Sequence, residues 1–179
     1  MRISGSLRYL YRRGVLCVFN GIAFLPHFQP VQKIRASLLR SLRCVVGSDV
    51  QFSESFYVLN GANLEIDDGV RLGSFCRIWD FSRVLLGRRL LASHNLTIVA
   101  GTHDAESLAD LPGPVVIEED VWIGTNVTIV GPVVIGCGTI VGAGSVVLKD
   151  LPRNTICAGV PCKVIRTRDK ADRSNLRTP

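Results

Sequence analysis

The chain of 179 residues is predicted to be all-β, wound as a parallel β-helix of about five triangular coils, and three observations predict it. From Pro114 onward, Ile117, Ile123, Ile129, Ile135, Val141 and Val147 recur every six residues. Two residues ahead of them stand Val115, Val121, Val127, Val133, Thr139 and Ser145, the mark of short strands alternating with turns. The same frame also runs upstream in groups of three: Val46, Phe52, Val58, then Ile66, Leu72, Ile78, then Leu86, Ala92, Ile98, each group followed by a two-residue slip.

Three hexads close one triangular coil of about 18 residues, so coils start at Val46, Ile66, Leu86, Ile117 and Ile135. Three flat parallel sheets follow, with an aliphatic column inside each corner. Gly124, Gly136 and Gly142 come directly after a large aliphatic residue, where a sharp corner wants no Cβ. An ordinary β-sandwich is excluded by the persistence of the six-residue lock. The step from Leu86 to Ile117 is 31 residues instead of 18, which leaves about 13 residues, roughly 102–114, to bulge out as a loop. Long extrusions from a regular scaffold usually carry function.

The flanks read differently. Residues 1–45 are expected to form a helical N-terminal segment, 46–168 the β-helix, and 169–179 a tail. Val31 to Leu42 has apolar residues at helical spacing, with Arg35, Arg40 and Arg43 on another face. Arg12-Arg13 followed by the apolar run from Val15 to Leu25 has the charged and apolar parts of a signal peptide, but Pro26-His27-Phe28 follows where a small-residue cleavage site belongs. The run is shorter than the roughly 20 residues a bilayer span needs. It is expected as an amphipathic helix, packed on the body or lying on a membrane surface. Arg166 to Arg173 reads as a short polar tail or helix. After Asp150, Leu-Pro-Arg-Asn reads as the start of a closing segment.

The net charge of +6 gathers at the two ends, which suits the phosphates of a nucleotide cofactor or lipid headgroups. No nucleic-acid partner is expected. Six cysteines without a CxxC pair are read as reduced thiols, and the compartment as cytoplasmic.

His27, His94 and His103 are the histidines of the chain. His103 stands at the mouth of the predicted loop. Its neutral imidazole is a suitable general base near neutral pH. His94 falls at a turn and is expected to have a structural or rim role. No nucleophile elbow or Cys–His pair is present at the loop, so direct transfer without a covalent intermediate is expected.

The run VWIGTNVTIVGPVVIGCGTIVGAGSVVLKD, the closing AGVPCKVIR at 158–166 and TIVAGTHD at 97–104 resemble the hexapeptide-repeat acyltransferases. Within that family the likeness is to the galactoside, maltose, nodulation-factor and exopolysaccharide (colanic-acid type) O-acetyltransferases, and it covers about residues 46–168. The resemblance implies a left-handed β-helix, a homotrimer with active sites at subunit boundaries, and acetyl transfer from acetyl-CoA to a hydroxyl of a sugar or glycoconjugate. His103 then takes the place of the catalytic base, and Asp80 that of a polar residue holding the acceptor or the base.

Phe75 stands where galactoside and maltose enzymes carry an asparagine that contacts the acceptor. With Trp79 and Phe81 it implies a flatter, more apolar acceptor face. Asp104 is a further candidate to orient His103. For coenzyme A the resemblance implies Trp122, Gly124 and Thr125 at the thiol end, Gly142 and Ala143 along the pantetheine, and Lys149, Lys163 and Arg166 for the phosphates. Leu148 replaces the family's threonine.

The same β-helix also carries zinc-dependent γ-class carbonic anhydrases, which need three histidine ligands. With His27 outside the coils only two remain, so no metal site is expected. Two other readings stay open: N-acetylation of an amino sugar, and a non-catalytic β-helix scaffold. Serine acetyltransferase is disfavoured by the shortness of the N-terminal segment. A lipid-linked acceptor would account for the basic, apolar start of the chain, with the protein peripheral on the inner membrane face.

Overall fold

The computed structural model describes residues 5–22 and 29–169. From Val45 the chain winds as a parallel β-helix with three flat faces. The expected columns are in register coil by coil. Val46, Ile66, Leu86, Ile117 and Ile135 are ladder partners on the first face. Phe52, Leu72, Ala92, Ile123 and Val141 align on the second, and Val58, Ile78, Ile98, Ile129 and Val147 on the third. All of these are buried. Strands of two or three residues have no stability alone, so each depends on the ladder to the coil above and below.

Two corner columns carry residues with a left-handed backbone: Asp49, Gly69, Arg89, Asp120, Gly138 and Asn154 at the first, and Ser55, Phe75, Asn95, Asn126 and Gly144 at the second. The glycines expected at sharp corners, Gly124, Gly136 and Gly142, are not among them. Their requirement is close stacking of coil on coil. A Cβ on Gly124 would lie 2.6 Å from the Ala143 amide nitrogen, and one on Gly142 would lie 2.9 Å from the Ala158 Cβ.

The closing segment is a sixth, partial coil. Leu151 bridges to Ile135 and Cys157 pairs with Val141. Leu151 follows Val147 by only four residues, which breaks the six-residue frame and hides the coil from the period. Lys163–Thr167, expected in part as a polar tail or helix, is a strand that returns antiparallel along Thr155–Ala158. Arg168 then turns inward, and its Nη1 donates to the Gly138 carbonyl at 2.7 Å. Residues 170–179 lie outside the described residues.

The opposite end is closed by two helices, α1 (Gly5–Gly21) and α2 (Gln29–Ser41). Leu16 and Phe19 of α1 are buried, and the Phe19 ring packs on Phe52 at 5.5 Å and Phe56 at 5.6 Å between centroids. His27 and the end of the apolar run, at 23–28, lie outside the described residues.

Arg35 corrects the sequence expectation. It does not face away from the apolar residues of α2 but is fully buried among them, because Val31, Arg35 and Leu39 fall four residues apart on one stripe. Its Nη1 donates to the Phe52 carbonyl, and the guanidinium lies 5.1 Å from the centre of the Phe19 ring. Burial lowers its pKa, while Glu54 acts in the opposite sense. Gln32 completes the closure, accepting from the Phe52 amide at 3.0 Å and donating to its carbonyl at 3.3 Å. Arg40 does the same from the surface, donating to the Val46 carbonyl at 2.7 Å.

Arg35→Ala would strip the charged donor from a buried carbonyl and leave a void under Phe19. The expected loss of unfolding free energy in urea is about 2 to 4 kcal/mol. Arg40→Ala, at an exposed position, should cost less than about 1 kcal/mol. Equal effects would mean that the end closure is not what holds α2 in place.

Candidate active site

The excursion expected at 102–114 is a β-hairpin. Gly101–His103 pairs antiparallel with Asp110–Pro112, setting His103 opposite Asp110. It leaves the third face just after Ile98, and the chain re-enters the ladder at Val115–Ile117 on the first face. Gly101 sits at the exit, where Phe81 Cβ would come within 3.2 Å of any side chain.

Across the hairpin His103 Nδ1 lies 3.1 Å from Asp110 Oδ1. The two side chains stand largely in solvent, and a carboxylate beside Nδ1 favours the tautomer protonated there, with Nε2 as the basic nitrogen that a general base needs. Asp110 was not legible in the sequence, since only the hairpin register brings it to His103. Asp104, the sequence candidate for this role, is engaged elsewhere. Its Oδ1 accepts from the Ser107 amide at 2.8 Å and hydroxyl at 2.7 Å and from the Glu106 amide at 3.2 Å, so it organises the tip. Those bonds hold its carboxyl below the usual range.

A cleft of about 470 Å³ lies against the hairpin. His103, Asp110, Thr102 and Ser82 give it polar groups, while Phe81, Val99, Leu111, Pro112 and Val130 make the remaining wall largely apolar.

Asp80 does not line this cleft. Its side chain is enclosed, and its carboxylate accepts from the backbone amides of Asn60 at 2.6 Å and Asn63 at 3.3 Å in the coil below. Burial raises its pKa, with the same amides opposing. The side-chain amides of Asn60 and Asn63 bond back to its carbonyl, so Asp80 ties one turn to the next. Trp79 is half-buried one coil below Val99, its ladder partner. Phe75 is exposed on the second corner with φ 64°, a conformation in which Asn is at ease and a bulky ring is not. His94 is exposed at the same corner one coil on, next to Asn95, which continues the Phe75 column.

The cofactor candidates gather elsewhere. Trp122 is on the second face and helps line a groove of about 600 Å³ there, with Arg71, Arg89, Leu91 and Asp120. Gly124 and Gly142 stack tightly on the next coil, and their amides already donate to Val141 and Cys157 carbonyls. The Thr125 carbonyl accepts from Gly144. Ala143 is exposed at the next turn. Lys149, Lys163 and Arg166 are all exposed at the last coils, with Arg166 3.7 Å from Asp169. A single chain therefore carries the proposed base and the proposed thiol-end residues on different faces. Among the described residues no three His, Cys, Asp or Glu side chains converge as a metal site.

The sequence of residues 114–149 matches the family described as bacterial transferase hexapeptide (six repeats). The galactoside O-acetyltransferase of Escherichia coli (strain K12) is 33% identical over 152 residues, covering 82% of this chain and 74% of that protein. The putative colanic acid biosynthesis acetyltransferase WcaF of the same organism is 32% identical over 142 residues, covering 78% of each. Among solved structures, a maltose O-acetyltransferase from Clostridium difficile 630 superposes with a TM-score of 0.78 at 27% identity, over 90% of this chain and 86% of that one. A galactoside acetyltransferase in complex with coenzyme A gives a TM-score of 0.79 at 29% identity, over 97% and 88%. The fold is the left-handed β-helix of these proteins.

The Phe75 geometry gives a direct test. Phe75→Asn should raise the unfolding free energy by about 1 kcal/mol, because a left-handed backbone is less costly for Asn than for an aromatic residue. A loss of stability in a denaturant titration would show instead that the ring is held by packing worth more than the strain.

Proposed function

Because the chain belongs to the hexapeptide-repeat acyltransferase family, we propose that it transfers an acetyl group from acetyl-CoA to a hydroxyl of a sugar or glycoconjugate. His103 is the general base of that reaction. The observation that carries the proposal is the His103–Asp110 pair held across a hairpin on the edge of an open cleft.

In this mechanism the acceptor hydroxyl enters the cleft beside Nε2 of His103. Its oxygen attacks the thioester carbonyl carbon while Nε2 takes the proton. The tetrahedral intermediate collapses with cleavage of the carbon–sulfur bond, and the imidazolium returns the proton to the departing thiolate. Asp110 fixes the tautomer and steadies the positive charge that forms on the ring. A backbone amide of a coil turn is the natural donor to the developing oxyanion. The apolar wall of Phe81, Val99 and Val130 suits the ring face of a sugar, whereas Phe75, on another corner, does not line the cleft of its own chain.

A homotrimer reconciles the separate surfaces. Trp122 and the second-face groove lie away from the hairpin of their own chain, so a neighbouring chain must supply one to the other. Coenzyme A then runs along the boundary, with Lys149, Lys163 and Arg166 available to its phosphates. The six unpaired thiols suit the reducing cytoplasm. Residues 1–45 are the part of the chain suited to a peripheral membrane contact.

His103→Ala should lower kcat in a thiol-release assay with acetyl-CoA and a sugar panel by at least about 100-fold, with thermal unfolding unchanged. Asp110→Asn should lower it by a smaller factor, about tenfold, and leave the KM for acetyl-CoA unaffected. Full activity in His103→Ala would end the mechanism. Sedimentation should give a mass three times 19.5 kDa; a monomer that still turned over would remove the shared site.

A further inference from the structure

We infer that α1 is a membrane-binding element whose outward face seats on an anionic lipid bilayer. The lipid contact stands independently of the acyl-transfer reading.

The helix has two unlike sides. Leu16 and Phe19 are buried against the first coil, and the Arg12 Nη1 donates to Asn60 Oδ1 at 3.0 Å. On the far side Leu7, Leu10, Tyr11, Gly14, Cys17 and Val18 fall within an arc of roughly 120° at 100° per residue. All of them are exposed, and Leu7, Leu10, Tyr11 and Val18 are each more than half accessible. An apolar stripe of that length is rarely left to water. Arg8 and Arg13 flank it, the latter over the Tyr9 ring at 5.6 Å.

Charge selects the occupant. The first 48 residues contain eight Lys and Arg and no Asp or Glu, whereas the remaining 131 contain 13 against 15. The chain's whole positive excess is therefore in its N-terminal segment. A second copy meeting this face with its own α1 would set arginine against arginine. A bilayer rich in anionic headgroups satisfies both features, with the apolar stripe sunk to the acyl boundary and arginines and tyrosines at headgroup level. At 17 residues α1 is about 25 Å long, and among the described residues no helix is long and apolar enough to cross a membrane. It lies in the surface plane.

The placement also bears on the acceptor, given the proposed chemistry. Asn60, which α1 grips, is tied to Asp80, and the next residue, Phe81, lines the His103 cleft. The helix thus docks on the corner from which the catalytic hairpin emerges. Seating it on a bilayer brings the cleft to a sugar displayed on a lipid.

Flotation of the full chain with vesicles is the test, using phosphatidylcholine mixed with phosphatidylglycerol against phosphatidylcholine alone. The protein should float with the anionic vesicles, be released by salt, and bind neutral ones at least about tenfold less. Leu10→Glu combined with Tyr11→Glu should reduce anionic-vesicle binding at least about tenfold, while acetyl-CoA thiol release with a soluble acceptor and the melting temperature stay at parental values. Arg8→Gln with Arg13→Gln, which keeps the stripe intact, should weaken it as well. No flotation of the parent, or equal flotation of parent and both variants, overturns the inference. So does a fall in oligomer mass in the glutamate variant with no parental vesicle binding, since a neighbouring copy would then be what covers the stripe.

Discussion

The interaction on which everything else depends is the backbone ladder between coils. No strand in the prism is long enough to stand by itself, so each coil is stable only through the amides and carbonyls of its neighbours. A stack built that way has two unsatisfied ends, and both are closed by side chains reaching for main-chain groups. Gln32, Arg35 and Arg40 meet the first coil, and a returning antiparallel strand with Arg168 meets the last. The helical segment is therefore part of how the coils are made stable, as much as it is a surface in its own right.

That ladder also explains how the site is held. The third-face strands continue from Thr97–Val99 to Thr128–Val130 without a break in register, even though a dozen residues leave the helix between them. The hairpin is anchored at both feet by paired backbone, so its two facing residues, His103 and Asp110, are positioned by strand pairing instead of by a mobile loop. Asp80 serves the same purpose one level down, tying adjacent turns through their amides.

Much of this was readable in the letters, and the part that was not has a common cause. A strict period is arithmetic, so the corner columns and the site of the excursion could be counted directly. Asp110 could not be found that way, since its relation to His103 depends on hairpin register, nor could the enclosure of Asp80 or Arg35, which depends on what packs across the coil. Leu151 escaped because two deleted residues threw the frame out of step. Phe75 was visible as a departure from the family pattern, and its left-handed backbone now gives that departure a physical content.

The hairpin's geometry has one more consequence. Because the chain leaves and rejoins the stack with the ladder intact on either side, the protruding ribbon behaves as an interchangeable cassette. The ribbon's tip, residues 104–109, can change in sequence or length at little cost to folding, since no rung of the prism runs through it.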